Sequence, residues 1–407
     1  MVPSSWKLST IEDIATVTSG GTPSRNNKSY WNGTIPWVTT AEVGFGTILD
    51  TSEKITEEGL KNSSAKLFPI NTILMAMYGQ GKTRGKVGKL GIEATTNQAC
   101  AAILLNEGYV VDYYFQFLMS RYDHIRDLSN SGSQENLSGG IVKSIQVPVP
   151  PLPEQKKIAQ ILSTWDKAIS ATEQLLNNRE KHKKALIQQL LTGKKRFPEF
   201  TKEWINVHLD QVAKVIVSPV DKKSELSEKA VELCNYTDVY YNNNITRKIS
   251  FMKATASDAE IKKYALQIGD VIITKDSETP DDIAIPALVT EDLNGVLCGY
   301  HLAIIRPNQE AIDSSFLSFL FALPKTRYHF YTLANGATRF GLSVGAINNA
   351  HFRIPELKEQ KKIALVLTNI NKEIELIKEK YGLLKQEKMA LMQQLLTGKR
   401  RVSLKDK

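Results

Sequence analysis

EQKKIAQILSTWDKAI, residues Glu154–Ile169, returns as EQKKIALVLTNINKEI, Glu359–Ile374, and the QQLLTGKKR of Gln188–Arg196 returns as the QQLLTGKRR of Gln393–Arg401. Both returns come 205 residues later without a gap, so the chain is two copies of one unit. Within each copy apolar residues alternate at spacings of four and three, which predicts a long helix. The second stripe runs Ile363, Leu367, Ile370, Ile374, Ile377, Tyr381, Leu384, Leu391 and Leu395, with Lys388 interrupting. The first runs Ile158, Leu162, Trp165, Ile169, Leu176, Leu186 and Leu190, with Thr172, Arg179 and Lys183 interrupting. A period of 3.5 held this long marks a coiled-coil seam, and the natural partner of each copy is the other. Prolines before the copies (Pro148, Pro150, Pro151 and Pro153; Pro355) and glycines after them (Gly193, Gly398) mark the helix ends. About 39 residues at roughly 1.5 Å each make a rod of roughly 58 Å.

The rest of the chain also repeats. Trp6–Ala15 aligns with Trp204–Ala213, and the same shift of 198 places Ile70–Met75 on Ile268–Ile273, strand-like in both. The expected organisation is a globular domain at 1–150, a helix at 151–198, a second domain at 199–356 and a second helix at 357–407. The fold class is α+β: two mixed α/β domains alternate with two helices that form an antiparallel coiled coil with pseudo-twofold symmetry. Ile169, Leu176, Ile374 and Ile377 are assigned to the helix pairing. Tyr113–Arg121 and Phe316–Leu323 read as helices preceding Gly/Ser/Asn loops, and Val271–Thr274 and Leu302–Ile305 as strands.

The net charge of +9 is uneven. Residues 1–150 carry 13 cations and 13 anions, 151–196 carry 10 and 4, 197–356 carry 16 and 20, and 357–407 carry 13 and 6. The excess lies on the helices and their tails, either as a solvated exterior or as a surface for a polyanion. Inside the domains, Gly59–Ile92 holds Lys61, Lys66, Lys82, Arg84, Lys86 and Lys89 with no acid. Ser314–Pro355 holds Lys325, Arg327, Arg339 and Arg353 with none, interleaved with Tyr328, Phe330, Tyr331 and Phe340. Acid-free basic stretches favour a phosphate-bearing partner. Cys100, Cys234 and Cys298 lack metal-ligand spacing and read as reduced core thiols of a cytoplasmic protein. No stretch reads as a signal peptide or a membrane span.

Catalytic chemistry finds no support. Ala76–Thr83 matches the loose form of a phosphate-binding loop, but Arg84-Gly85-Lys86-Val87-Gly88-Lys89-Leu90-Gly91 follows, with a glycine every third residue where a helix must open. A basic β-turn loop is the better reading. The six histidines form no HExxH and no Cys/His cluster. An Asn-Pro-Pro-aromatic methyltransferase motif, a Rossmann fingerprint and a nuclease carboxylate-lysine set are all missing.

The whole chain resembles the specificity (S) subunits of type I restriction-modification enzymes. The resemblance rests on Val147–Ala159, on its repeat Ile354–Ala364, on both Gln-Gln-Leu-Leu-Thr-Gly-Lys endings, and on Ser19-Gly20-Gly21-Thr22-Pro23-Ser24 followed by Ile35-Pro36-Trp37. One departure is Pro-Glu-Leu-Lys before the second helix in place of Pro-Pro-Leu-Pro. The resemblance implies two target-recognition domains, each reading half of a bipartite, asymmetric double-stranded DNA target, with two long conserved helices as spacer and as docking surface for two methyltransferase subunits. Restriction subunits would join through those. It implies a non-catalytic chain that binds no cofactor itself, with S-adenosylmethionine, ATP and Mg2+ held by partner subunits. A type IIB-like or other defence methyltransferase is the alternative setting. Ile169, Leu176, Ile374 and Ile377 would then serve docking as well as pairing.

Lys82, Thr83, Arg84 and Lys86, in the loop Gly79–Lys89, are the first domain's candidates for DNA contact, at phosphates or a guanine edge, unless they only solvate a hairpin. The matching loop of the second domain, Lys275–Asp282, is acidic. There the candidates are Lys275 and, above all, Arg339 within Asn335–Gly341.

Overall fold

Both copies of the repeat fold as helices of 39 residues, Leu152–Leu190 and Leu357–Leu395. The computed structural model describes residues 3–79, 81–128 and 136–404. The Gly/Ser/Asn loop expected after the first domain's helix lies partly outside them. Pro-Glu-Leu-Lys starts its helix at the same point of the repeat as Pro-Pro-Leu-Pro does. The amides of Glu154 and Gln155 donate to the Pro151 carbonyl, and those of Glu359 and Gln360 to that of Glu356. At the far ends Gly193 and Gly398 adopt φ of 70° and 72°. The Lys195 amide then reaches back to the Gln189 carbonyl and that of Arg400 to Gln394, capping carbonyls the helix leaves open.

The chain divides into two compact units, Met1–Glu173 with Glu379–Lys407, and Gln174–Lys378. Each unit therefore holds one globular domain, the first half of the helix that follows it and the second half of the other helix. In the first unit Asp166 meets Lys388 at 2.6 Å and Glu173 meets Tyr381 at 2.9 Å. In the second, Arg179 meets Glu373 at 3.0 Å and Glu180 meets Lys378 at 3.4 Å. In the first unit, and in the second when Arg179–Glu373 is taken with Arg196–Glu359, one number rises as the other falls, so the helices run antiparallel within each unit. The stripe supplies buried residues in both: Ile158 and Leu162 in the first, Ile363, Leu367, Ile374 and Ile377 in the second.

The two domains share one sheet plan. The first has a five-stranded sheet in the order Ala15–Ser19, Cys100–Leu105, Ile73–Ala76, Val87–Leu90, Thr47–Ile48. The second repeats it as Ala213–Val217, Leu302–Pro307, Val271–Thr274, Pro286–Val289, Asn244–Ile245. A three-stranded sheet accompanies each, around Trp31–Val38 and around Lys229–Cys234. The shift of 198 is exact for the opening strands, Lys7–Thr10 and Ile205–His208, and for the central strands. Those central strands are buried throughout and apolar except for Thr274, because both faces are covered. Ile73 and Met75 enter one core, and Leu74 and Ala76 enter another; Val271 and Ile273 are likewise separated from Ile272. The first core of each domain also takes in the start of its long helix, through Ile158 and Leu162 or through Ile363 and Leu367.

This attachment explains the Glu-Gln pair that opens each repeat. Gln155 accepts the Val110 amide at 3.0 Å and donates to the Pro150 carbonyl, while Gln360 accepts the Asp313 amide at 2.9 Å and donates to the Pro355 carbonyl. Glu154, 1% exposed, accepts the Trp6 indole at 3.0 Å and the Arg401 guanidinium at 2.7 Å. Glu359, fully buried, accepts Arg196 at 3.0 and 2.7 Å. Each helix start is thus clasped by an arginine from just beyond the end of the other helix. Two-point guanidinium pairing holds a buried carboxylate that would otherwise be costly.

Candidate nucleic-acid interface

In the first domain, strand Ile73–Ala76 turns back into Val87–Leu90, with Ile73 opposite Lys89 and Met75 opposite Val87. Because a strand and not a helix follows the loop, no helix N-terminus stands there to hold a nucleotide phosphate. Among the described residues of this loop, from which Gln80 is missing, Gly79 and Gly85 adopt φ of 133° and 82°, conformations that a side chain would strain. The loop closes through the Gly85 amide on the Ala76 carbonyl and the Lys86 amide on the Thr83 carbonyl. Tyr122 pins it from outside, its hydroxyl donating to the Lys82 carbonyl at 2.6 Å while accepting from Arg126 at 2.7 Å. Phe45 packs edge-on against Tyr122, and the Lys86 ammonium lies 6.0 Å from the Phe45 ring.

The four predicted residues therefore share one loop, but not one exposure. Lys82 is exposed, Thr83 and Lys86 are half-buried and Arg84 is buried. Lys82 is the cation that faces solvent without rearrangement. Lys89, part of the same acid-free stretch, is ion-paired with Asp112.

The equivalent hairpin of the second domain joins Val271–Thr274 to Pro286–Val289, with Val271 opposite Leu288. Its base carries a ribbon that has no counterpart among the described residues of the first domain: Asp276–Ser277 pairs with Phe340–Gly341. This ribbon brings Lys275 and Arg339 to one place. Lys275 is side-chain buried to 14% exposure and lies 2.7 Å from both oxygens of Asp276, so its charge is spent inside the protein. His301 Nδ1 is 3.5 Å from Asp276 Oδ2, and Arg339 Nη2 is 3.0 Å from His301 Nε2. Arg339 itself is exposed. Its loop is tied at the base by mutual hydrogen bonds between Asn335 and Gly341, at 3.0 and 2.9 Å. Gly336 has φ of 149°, and a Cβ there would stand 1.8 Å from the Arg339 carbonyl, so only glycine fits.

Sequence reading missed the helix Pro324–Leu333, within which the interleaved aromatics divide by face. Phe330 is wholly buried, while Tyr328 and Tyr331 stack at 5.9 Å on the exposed side. Arg327, from the same helix, donates to the Asp281 carbonyl, and burial lowers its pKa. Tyr240 donates to Asp282 at 3.1 Å, and this bond raises the phenol's pKa. Exposed Tyr241 and Tyr300 add to the aromatic surface of this domain.

Other quoted residues prove structural. The Ser19–Ser24 stretch is packed: the Trp37 indole donates to the Gly21 carbonyl at 3.0 Å, and the Trp31 indole to that of Ser24 at 3.1 Å. Arg25 lies 3.7 Å over the Trp31 ring. Burial pushes the Cys100 thiol up to about 12. On the long helices, Ile374 and Ile377 are buried at 3% and 9% exposure, whereas Ile169 and Leu176 are half-buried. Ile374 and Ile377 thus face inward in the second unit, beside the Arg179–Glu373 and Glu180–Lys378 pairs. Leu365, Leu376, Leu383 and Met389 are the exposed apolar residues of the second helix. Among the described residues no group of three or more His, Cys, Asp or Glu is placed to hold a metal, and no helix is long and apolar enough to cross a membrane.

Two domains of one topology, each fused to a pair of antiparallel helix segments and each offering a differently charged hairpin, define a duplicated recognition protein. Residues 3–180 and 201–386 both match the type I restriction modification DNA specificity domain, and the chain belongs to that family. It is 32% identical over 176 residues to the type I restriction enzyme MjaIX specificity subunit of Methanocaldococcus jannaschii, covering 41% of this chain and 39% of that one. The MjaVIII specificity subunit of the same organism is 24% identical over 424 aligned residues, 98% of this chain and 94% of the relative. Among solved structures, the type I restriction-modification system S subunit from M. genitalium superposes with a TM-score of 0.62 at 14% identity, over 97% of this chain and 96% of that one. The HsdS subunit from Thermoanaerobacter tengcongensis superposes with a TM-score of 0.51 at 15% identity, over 98% of both chains. The duplicated α+β fold with two long helices is therefore that of the S subunits.

Proposed function

We propose that this chain is the non-catalytic subunit that gives a type I restriction-modification complex its DNA sequence specificity, each globular domain reading one half of a bipartite double-stranded target. The observation that carries the reading is that both domains match the DNA specificity family while their equivalent hairpins differ in charge. Unlike hairpins on a common scaffold favour unlike half-sites, hence an asymmetric target. Backbone positioning in the first domain falls to Lys82, and base readout to the loop around it. The long helices set the number of base pairs between half-sites. They also dock two methyltransferase subunits, with restriction subunits joining through these. Exposed Leu365, Leu376, Leu383 and Met389 suit that docking better than the buried Ile374 and Ile377. S-adenosylmethionine, ATP and Mg2+ belong to the partner subunits, and the complex works in the cytoplasm.

Methylome sequencing of the host with and without this gene tests the reading. The expected result is a split, asymmetric adenine-methylation motif that disappears with the gene, while the purified chain has no methyltransferase, nuclease or ATPase turnover. Turnover by the verified chain alone, or an unchanged methylome, overturns it. Inserting four residues before Thr192 and four before Thr397 adds about one turn, or about 6 Å, to each helix. The half-sites should persist while the spacer grows by one or two base pairs; an active variant with an unchanged spacer removes the ruler role.

A further inference from the structure

We infer that Arg339 reads a guanine in the half-site of the second domain, and that His301 is its positioning residue. The inference rests on the DNA-reading function proposed above and names one contact within it. Its basis is a chain of three side chains drawn from separate segments: Asp276 from the hairpin ribbon, His301 from the turn before strand Leu302–Pro307, and Arg339 from the loop tied at Asn335 and Gly341.

Arg339 Nη2 stands 3.0 Å from His301 Nε2 and 3.4 Å from Nδ1, so the guanidinium rests against the imidazole ring. On its other side His301 Nδ1 lies 3.5 Å from Asp276 Oδ2, which holds the ring in place. Lys275 holds Asp276 in turn, with 2.7 Å to each oxygen. A guanidinium has five N–H donors in one plane. Among the described residues the contacts of Arg339 are confined to Nη2 and the His301 ring, so a two-point edge made of Nη2 with Nη1 or with Nε remains for a base.

This arrangement favours a base edge over a phosphate. A phosphate contact needs a positive charge and tolerates a mobile one, whereas two-point recognition of guanine O6 and N7 needs the plane of the guanidinium fixed. The structure fixes it twice: the loop backbone closes on Gly336, and the side chain rests on His301. Positioning of this kind separates a tight polar contact from a loose one. The first domain has Ala99 where the alignment of Cys100 with Leu302 places His301, so the device belongs to one half-site alone.

The test uses the full chain assembled with its cognate methyltransferase subunits and sequences the methylated sites. Arg339→Lys keeps the charge but loses the planar fork. It should relax one guanine position of one half-site by about tenfold to a hundredfold, leaving the other half-site intact. His301→Ala should relax the same position more weakly, and His301→Gln, which retains a planar polar side chain, should recover part of it. A uniform loss across all sequences with a shallower salt dependence in Arg339→Ala, fully restored by Arg339→Lys, assigns Arg339 to phosphate and overturns the inference. Unaltered specificity in Arg339→Lys overturns it too. Should the wild-type complex itself show no sequence preference, it is the DNA-reading function that fails, and this outcome is distinguishable from the other two.

Discussion

Positions 166 and 371 are the same place in the repeat, yet Asp166 and Asn371 live in different surroundings. In the first unit Asp166 accepts from the Lys388 ammonium at 2.6 Å and from the side-chain amide of Gln116, both of them buried. In the second unit Lys183 takes the place of Lys388 and Phe319 that of Gln116, by the shift that aligns Val110 with Asp313. No polar partner replaces the lost amide, and the Asn371 carbonyl oxygen is buried without a hydrogen bond. Burial, followed by the nearby Lys378 charge, lowers the Lys183 pKa. The first repeat thus satisfies both charged members of its polar layer, with the Gln116 side-chain oxygen left buried and unbonded, while in the second the seam residue Asn371 itself has no partner. Each polar member left unsatisfied in a helix seam subtracts from what the layer contributes.

The comparison can be broken at several places. The largest effect belongs to Ile374→Asp, which buries a carboxylate at a site of 3% exposure and should cost about 4 kcal/mol. Ile169→Asp, at the same place in the first copy but half-buried, should cost less than half of that; equal shifts in urea midpoint would mean that the two seams are equally tight. Next come Asp166→Leu and Asn371→Leu, for which opposite signs are expected. The first strands Lys388 and Gln116 and should cost about 2 kcal/mol, a value reduced because Asp166 is 43% exposed. The second removes a partnerless buried oxygen and should stabilise by about 1 kcal/mol. Destabilisation by both would show that Asn371 has a partner in solution.

Smaller effects sharpen the contrast at the helix starts. The Trp6 indole donates to Glu154, whereas the Trp204 indole nitrogen is buried without a partner. Trp6→Phe should therefore cost about 1 kcal/mol more than Trp204→Phe in denaturant unfolding. On the DNA side, Lys82→Ala should lower the salt slope of binding by the assembled complex by about 0.9 per lost phosphate contact. Glu278→Ala, in the acidic hairpin of the other domain, should leave that slope unchanged.

The sequence by itself determined the duplication, the two helices with their ends, the antiparallel pairing and the central strands. These are legible because a helix stripe and a buried strand are periodic along the chain, and because the repeat prints each signal twice. It also located the hairpin loop at Gly79–Lys89, since glycine every third residue excludes a helix. What it left open were relations between residues far apart. Arg401 and Glu154 are 247 residues apart, and His301 and Arg339 are 38 apart. Composition marked Arg84 and Lys275 as candidates equal to Lys82, but packing buries the first and Asp276 neutralises the second. Whether a charge faces solvent, pairs inside or orients another side chain depends on the groups that the fold brings beside it. No local pattern along the chain encodes those neighbours, so only the tertiary structure decided them.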